Sequence, residues 1–163
     1  MRNNATNEYL LGAMLAFTSG FLDCYTFMLH GGAFATMQTG NLIQAVYNFV
    51  ERNCGRAIYF WGLNIVFLVT TFVTKWTLDI LCNNNELKWK RYILQINLII
   101  MVGLGGFYSK LTDFIVNASV SVCAAMQYCA FRTFANGSAY ATVFCTGNMR
   151  SLVDNGNRQI IMR

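Results

Sequence analysis

The chain contains no proline and a single histidine, and only 12% of its 163 residues are charged. A soluble domain carries about 25% charged residues, so an ordinary soluble enzyme is excluded. Residues 57–74 and 92–109 contain no charged residue at all. Disorder is excluded too, because it requires low hydrophobicity and high charge, whereas 55% of this chain is hydrophobic. Without proline, any break in a helix has to come from glycine. His30 alone gives a zinc site or a histidine-based catalytic group little to work with. No paired-carboxylate, Ser/His or HExxH arrangement is present, so no enzyme activity is expected. The six cysteines form no CxxC pair, and Cys24, Cys123 and Cys129 fall inside apolar runs, where a free thiol acts as a small hydrophobe. No metal and no cofactor is expected.

The net charge of +5 does not indicate nucleic acid, because the basic residues flank apolar runs instead of forming one stripe. That pattern is the usual topology signal of a membrane protein, with the lipid bilayer as its main partner. A bilayer core of about 30 Å needs roughly 20 mostly apolar helical residues. Stretches 9–29, 57–74, 92–108 and 114–131 meet or approach this requirement. The first lacks the cleavage site of a signal peptide and is expected to remain as a span. The fold class is therefore all-α, a polytopic membrane protein forming one domain over residues 1–163.

Two further apolar stretches, 31–50 and 137–153, are interrupted. Each opens on small residues, passes an aromatic and carries Thr-Gly-Asn: Thr39, Gly40 and Asn41 in the first, Thr146, Gly147 and Asn148 in the second. GAFATMQTGN and GSAYATVFCTGN correspond in order, and GFLDCYTF before the first corresponds to AMQYCAFR before the second. This is an internal repeat, with residues 1–109 as the first copy and 110–163 as a partial second. Duplicated halves are common in transporters.

Positive charge distinguishes two ways of seating the interrupted stretches. If both cross the membrane, the N-terminal side collects Arg2, Arg52, Arg56, Lys110, Arg150, Arg158 and Arg163, seven against five. If both dip in and return, that side collects nine basic residues and leaves only Arg52, Arg56 and Lys110 opposite. Nine against three is a proper positive-inside bias with a cytoplasmic N-terminus. Each unit then has three spans plus one re-entrant segment, and an odd number makes the repeat inverted. Four full spans and two re-entrant segments are expected.

At these residues the sequence resembles the YoaK-type bacterial membrane proteins, a domain-of-unknown-function family. Gly20, Phe21, Leu22 and Asp23, then Thr39, Gly40 and Asn41, resemble its first signature. Ala125, Met126, Gln127 and Tyr128, with Arg132, Thr142, Thr146 and Gly147, resemble its second, with Ala125 in place of a glycine and Tyr128 in place of an asparagine. The resemblance implies an inner-membrane protein of six spans and no established activity. It also implies a chain shorter than complete members: a fragment, a truncated product or a degenerate copy.

Asp23 is the sharpest single signal, since a carboxylate within a span costs about 2.5–3.5 kcal/mol. It caps the backbone of the re-entrant segment, serves a substrate or proton, or sits at the membrane interface. Gly12, Ala16, Ser19, Gly20 and Asp23 share a small, polar helical face. The Thr-Gly-Asn motifs either turn the chain and bind solute where helices break, or form a tight helix crossing held by Asn41 and Asn148. Asn64, Thr70, Thr71, Gln95 and Asn97 are expected mostly to bond between helices. Gly103, Gly105 and Gly106 read as a helix-packing groove, and the Asn117-Ala118-Ser119 pattern as chance.

Two functions remain open. One is a small-solute transporter or channel with Asp23, Thr39, Gly40, Asn41, Gln127, Thr146, Gly147 and Asn148 on the pathway, the solute unknown. The other is a scaffold or accessory module, or an inactive truncated copy, whose polar residues only hold helices together. A partial second copy leaves the pathway incomplete unless the chain forms a homo-oligomer. No nucleic-acid partner is expected.

Overall fold

The computed structural model describes residues 2–81, 86–107 and 111–131. Among them the chain is helical without strands, in the order α1 (Arg2–Leu29), α2 (Gln38–Val50), α3 (Cys54–Leu81), α4 (Glu86–Phe107) and α5 (Asp113–Ala130). Stretch 137–153, with Thr146, Gly147 and Asn148, lies outside the described residues, and so does the comparison of the two repeats.

The four long helices alternate in direction. At one end Leu15, Leu78, Trp89, Ile93, Met126, Ala130 and Phe131 pack into one cluster, drawing on α1, α3, α4 and the end of α5. At the other end His30 meets Asp113, and Asn117 reaches both His30 and Tyr59. Thus α1 and α4 run towards the His30 end, while α3 and α5 run away from it. Leu10–Leu29 and Cys54–Leu78 are each long and apolar enough to cross a membrane.

Between α1 and α2 the helix breaks. Gly31 and Gly32 adopt φ +75° and +73°, a left-handed conformation open to glycine and costly for other residues. The chain then doubles back along α1: the Phe34 ring stacks on Phe27, and Thr36 bonds to Asp23. From there α2 turns and runs towards the His30 end again. A tight turn follows, with Arg52 at φ 59°, and the Asn53 side chain accepts the Arg56 N–H to start α3. Stretch 31–50 therefore leaves and re-enters at the same end of the bundle. With 13 residues and 1.5 Å per residue, α2 is only about 20 Å long.

This geometry corrects several sequence expectations. The glycines that break the chain are Gly31 and Gly32, while Gly40 lies within the first turn of α2. Gly40 is needed for closeness instead: a Cβ there would meet the Phe34 ring at 2.7 and 2.9 Å. On α1 the buried stripe is Gly12, Ser19, Asp23, Thr26 and His30, whereas Gly20 is exposed with open space around it. At about 100° per residue Gly20 sits about 80° from Gly12, while Ser19 and Asp23 lie within about 20° of it. Open space also surrounds Gly103, Gly105 and Gly106 among the described residues, so they form no packing groove there. Asn64, Thr70 and Thr71 bond the carbonyls of Phe60, Val66 and Phe67 one turn back on their own helix. Asn97 of that set does reach across, to the Cys123 carbonyl at 3.3 Å.

Gly40→Ala is expected to destabilise the chain by about 1–3 kcal/mol through overpacking against Phe34. Gly103→Ala, facing open space, should leave the thermal midpoint in detergent unchanged or raise it.

Candidate functional site

The non-helical segment between α1 and α2 is buried. Ala33, Ala35 and Thr36 are 2% exposed or less, and small side chains let the surrounding helices approach this backbone closely. Buried backbone N–H and C=O groups outside a helix need partners, and four helices supply them. From α1, the Asp23 carboxylate accepts both the Thr36 N–H at 2.7 Å and the Thr36 hydroxyl. From α2, the Asn41 amide closes on Phe34 from both sides, accepting its N–H at 2.8 Å and donating to its carbonyl at 2.6 Å. Gln38 donates to the Ala35 carbonyl at 3.0 Å.

From α3, Arg56 donates to the Gly31 carbonyl at 2.8 Å. From α5, Asn117 donates to the His30 carbonyl at 2.7 Å and to the Tyr59 hydroxyl at 2.5 Å. Ser121, one turn further along α5, donates to the Ala35 carbonyl at 3.0 Å. His30 anchors the start of the segment: its Nδ1 lies 2.9 Å from the Asp113 carboxylate and its Nε2 2.9 Å from the Tyr25 hydroxyl. A carboxylate can only accept, so Nδ1 is the donor of that pair. Asp113 opens α5, where the helix dipole favours negative charge.

Thr36 borders a cavity of about 210 Å³ between α1, α4 and α5. Ser19 and Thr36 line it together with Asn97 of α4 and Gln127 of α5. A second, apolar cleft of about 400 Å³ adjoins it towards the His30 end, sharing Leu22 and Met101 with the first and including Tyr25 and Gly105.

The described residues among those singled out from sequence fall into three groups. Asp23, Gly40 and Asn41 meet at the non-helical segment; Gln127 lines the cavity; Thr39 is exposed on α2. Thr146, Gly147 and Asn148 lie outside the described residues. Sequence reasoning missed Arg56, Tyr59, Asp113, Asn117 and Ser121. For Asn117 and Ser121 a signal was present: two polar residues spaced four apart in an otherwise apolar helix, on one face. The glycosylation-like pattern at Asn117 obscured it, yet this side chain is fully buried.

Asn41→Leu strands both the N–H and the C=O of Phe34 and is expected to cost about 2–4 kcal/mol, at about 1–3 per orphaned group. Asn117→Leu should cost a similar amount. Asn48→Leu, which loses only a bond to Gln44 one turn back, should stay within about 1 kcal/mol. Thermal unfolding of the detergent-solubilised chain ranks the three.

Residues 11–161 match the model of a family described as a protein of unknown function, DUF1275. No curated protein and no solved structure matches the chain.

Proposed function

The chain belongs to the DUF1275 family, and on that footing we propose that it is a multi-pass membrane protein that carries or conducts a small solute. One observation carries this reading: a non-helical segment is buried among helices, and its Thr36 lines a cavity. Irregular backbone at membrane depth is tolerated where it is enclosed by protein or lines a cavity. Broken helices of this kind form the binding sites of many transporters.

The distribution of side chains supports the membrane setting. Phe17, Phe21, Ile58, Phe72 and Ile99 point outwards at 62–78% exposure, while Asp23, Thr26, Asn41, Asn117 and Ser121 are buried. A water-soluble protein arranges these classes the other way round. In this reading α1, α3, α4 and α5 cross the bilayer, and α2, at about 20 Å, is too short to do so alone. Stretch 31–50 is then re-entrant. Of the described basic residues, Arg2, Lys75, Lys88, Lys90 and Arg91 belong to the Trp89 end, and Arg52 and Arg56 to the other. Five against two favours a cytoplasmic N-terminus. The resemblance to YoaK-type proteins extends the proposal to a bacterial inner membrane.

We assign Tyr25, His30 and Asp113 to fastening α1 to α5 and not to catalysis. A scaffold is the second reading, favoured by the number of segment carbonyls already bonded within the protein.

Single-cysteine variants test the topology. A membrane-impermeant maleimide should label Cys54 from outside intact cells and Lys88→Cys only after permeabilisation; labelling of both from one side overturns the arrangement. Reconstituted vesicles test transport: a solute screen should find at least one solute whose entry exceeds protein-free vesicles about tenfold. Entry equal to protein-free vesicles for every solute favours the scaffold.

A further inference from the structure

We propose that the cavity between α1, α4 and α5 binds a small uncharged solute that both donates and accepts hydrogen bonds, of the polyol or simple-amide class. This deepens the transport reading and rests on it for the membrane setting. The argument starts from polar atoms left without partners. Ser19 Oγ, Asn97 Oδ1 and Gln127 Nε2 are buried and meet no hydrogen-bond partner among the described residues. Ser19 is 3% exposed and Gln127 8%. An unsatisfied buried group is destabilising, and native structures contain few of them.

These three come from three different helices, yet all line the same cavity. Their chemistry is complementary. Asn97 donates one Nδ2 proton to the Cys123 carbonyl, and its Oδ1 is left as an acceptor without a partner among the described residues. Gln127 Nε2 is a donor, and the Ser19 hydroxyl is both. Thr36, also in the lining, commits its hydroxyl proton to Asp23, so towards a ligand it can only accept. A ligand matching this set needs at least one donor and one acceptor on a short skeleton.

The lining also argues against an ion. It contains no carboxylate and no basic side chain among the described residues, and the nearby Asp23 carboxylate is engaged by Thr36. An ion would shed its hydration without finding a counter-charge, a large cost at low dielectric. Leu15, Leu22, Leu94, Leu98 and Met101 supply apolar surface for carbon. The volume of about 210 Å³ equals roughly seven waters at about 30 Å³ each, enough for a four-carbon polyol or amide.

Saturation-transfer NMR on the detergent-solubilised full chain tests the site with erythritol and butyramide as neutral probes and acetate and methylammonium as charged ones. Erythritol, butyramide or both should give a signal that excess of the same solute competes away; which of them does so identifies the class. Gln127→Leu should weaken binding at least tenfold and Ser19→Ala several-fold. If Gln127→Leu fails to give monodisperse protein, Asn97→Leu takes its place with the same expectation. The proposal is overturned if neither neutral probe binds, as for a cavity holding only water. Tighter binding of a charged probe, or wild-type binding by the folded variants, also overturns it. Binding without vesicle flux upholds the site and overturns the transport reading. Flux that survives both leucine variants unchanged does the reverse.

Discussion

The fold depends on satisfying the backbone of residues 30–37. Once a chain leaves the helix inside a packed bundle, its N–H and C=O groups lose their internal partners, and in lipid no water replaces them. Side chains do so here: Asp23 for Thr36, Asn41 for Phe34, Arg56 for Gly31, Asn117 for His30, and Ser121 with Gln38 for Ala35. These residues come from four helices, so the segment joins the bundle as much as the bundle shelters the segment. In the proposed membrane setting helix packing would have little hydrophobic drive, and bonds converging on one strip of backbone would supply an alternative.

Close approach is the second requirement. Ala33, Ala35 and Gly40 keep this region free of bulk, and a Cβ on Gly40 would already strike Phe34. The Phe34 ring in turn lies flat on Phe27, which fixes the return strand against α1 at the level where Asp23 and Thr36 meet. Apolar packing at Ala33, Ala45, Phe60 and Leu63 then seats α2 on α3. Polar capping and small-residue packing thus occur within the same few residues, and neither would position the segment alone.

Much of this was readable in sequence, and the remainder had a physical reason to be hidden. Asp23 stood out because a carboxylate in an apolar run needs a partner, and Asn41 because it belongs to a repeated Thr-Gly-Asn whose polar side chains can satisfy freed backbone groups. What composition could not give was direction. Thr70 and Thr71 bond their own helix because a hydroxyl can always return to the carbonyl four residues back, whereas Asn97 finds Cys123 only because α5 passes beside it. Gly31 and Gly32, which take the positive φ, lie outside the repeated Thr-Gly-Asn, although consecutive glycines without a side chain are the cheaper place to reverse a chain. Asn117 and Ser121 acquire their meaning only from the strip of backbone that packs against them.

Thr36 belongs to both the satisfied and the unsatisfied parts of the interior. Its N–H and hydroxyl proton are held by Asp23, and the residue also lines the cavity where Ser19 Oγ, Asn97 Oδ1 and Gln127 Nε2 lack partners among the described residues. A group entering that cavity and donating to Thr36 does not break the Asp23 bonds, since it uses lone pairs those bonds leave open. It polarises the hydroxyl and strengthens the bond to the carboxylate, the cooperative effect expected of hydrogen-bond chains in a low-dielectric interior. If the proposed solute binds there, occupancy of the cavity and rigidity of the returning segment would be linked through one hydroxyl. Asp23 caps the broken segment, and by capping it holds the residue that such a solute would meet, so its capping and substrate readings are compatible.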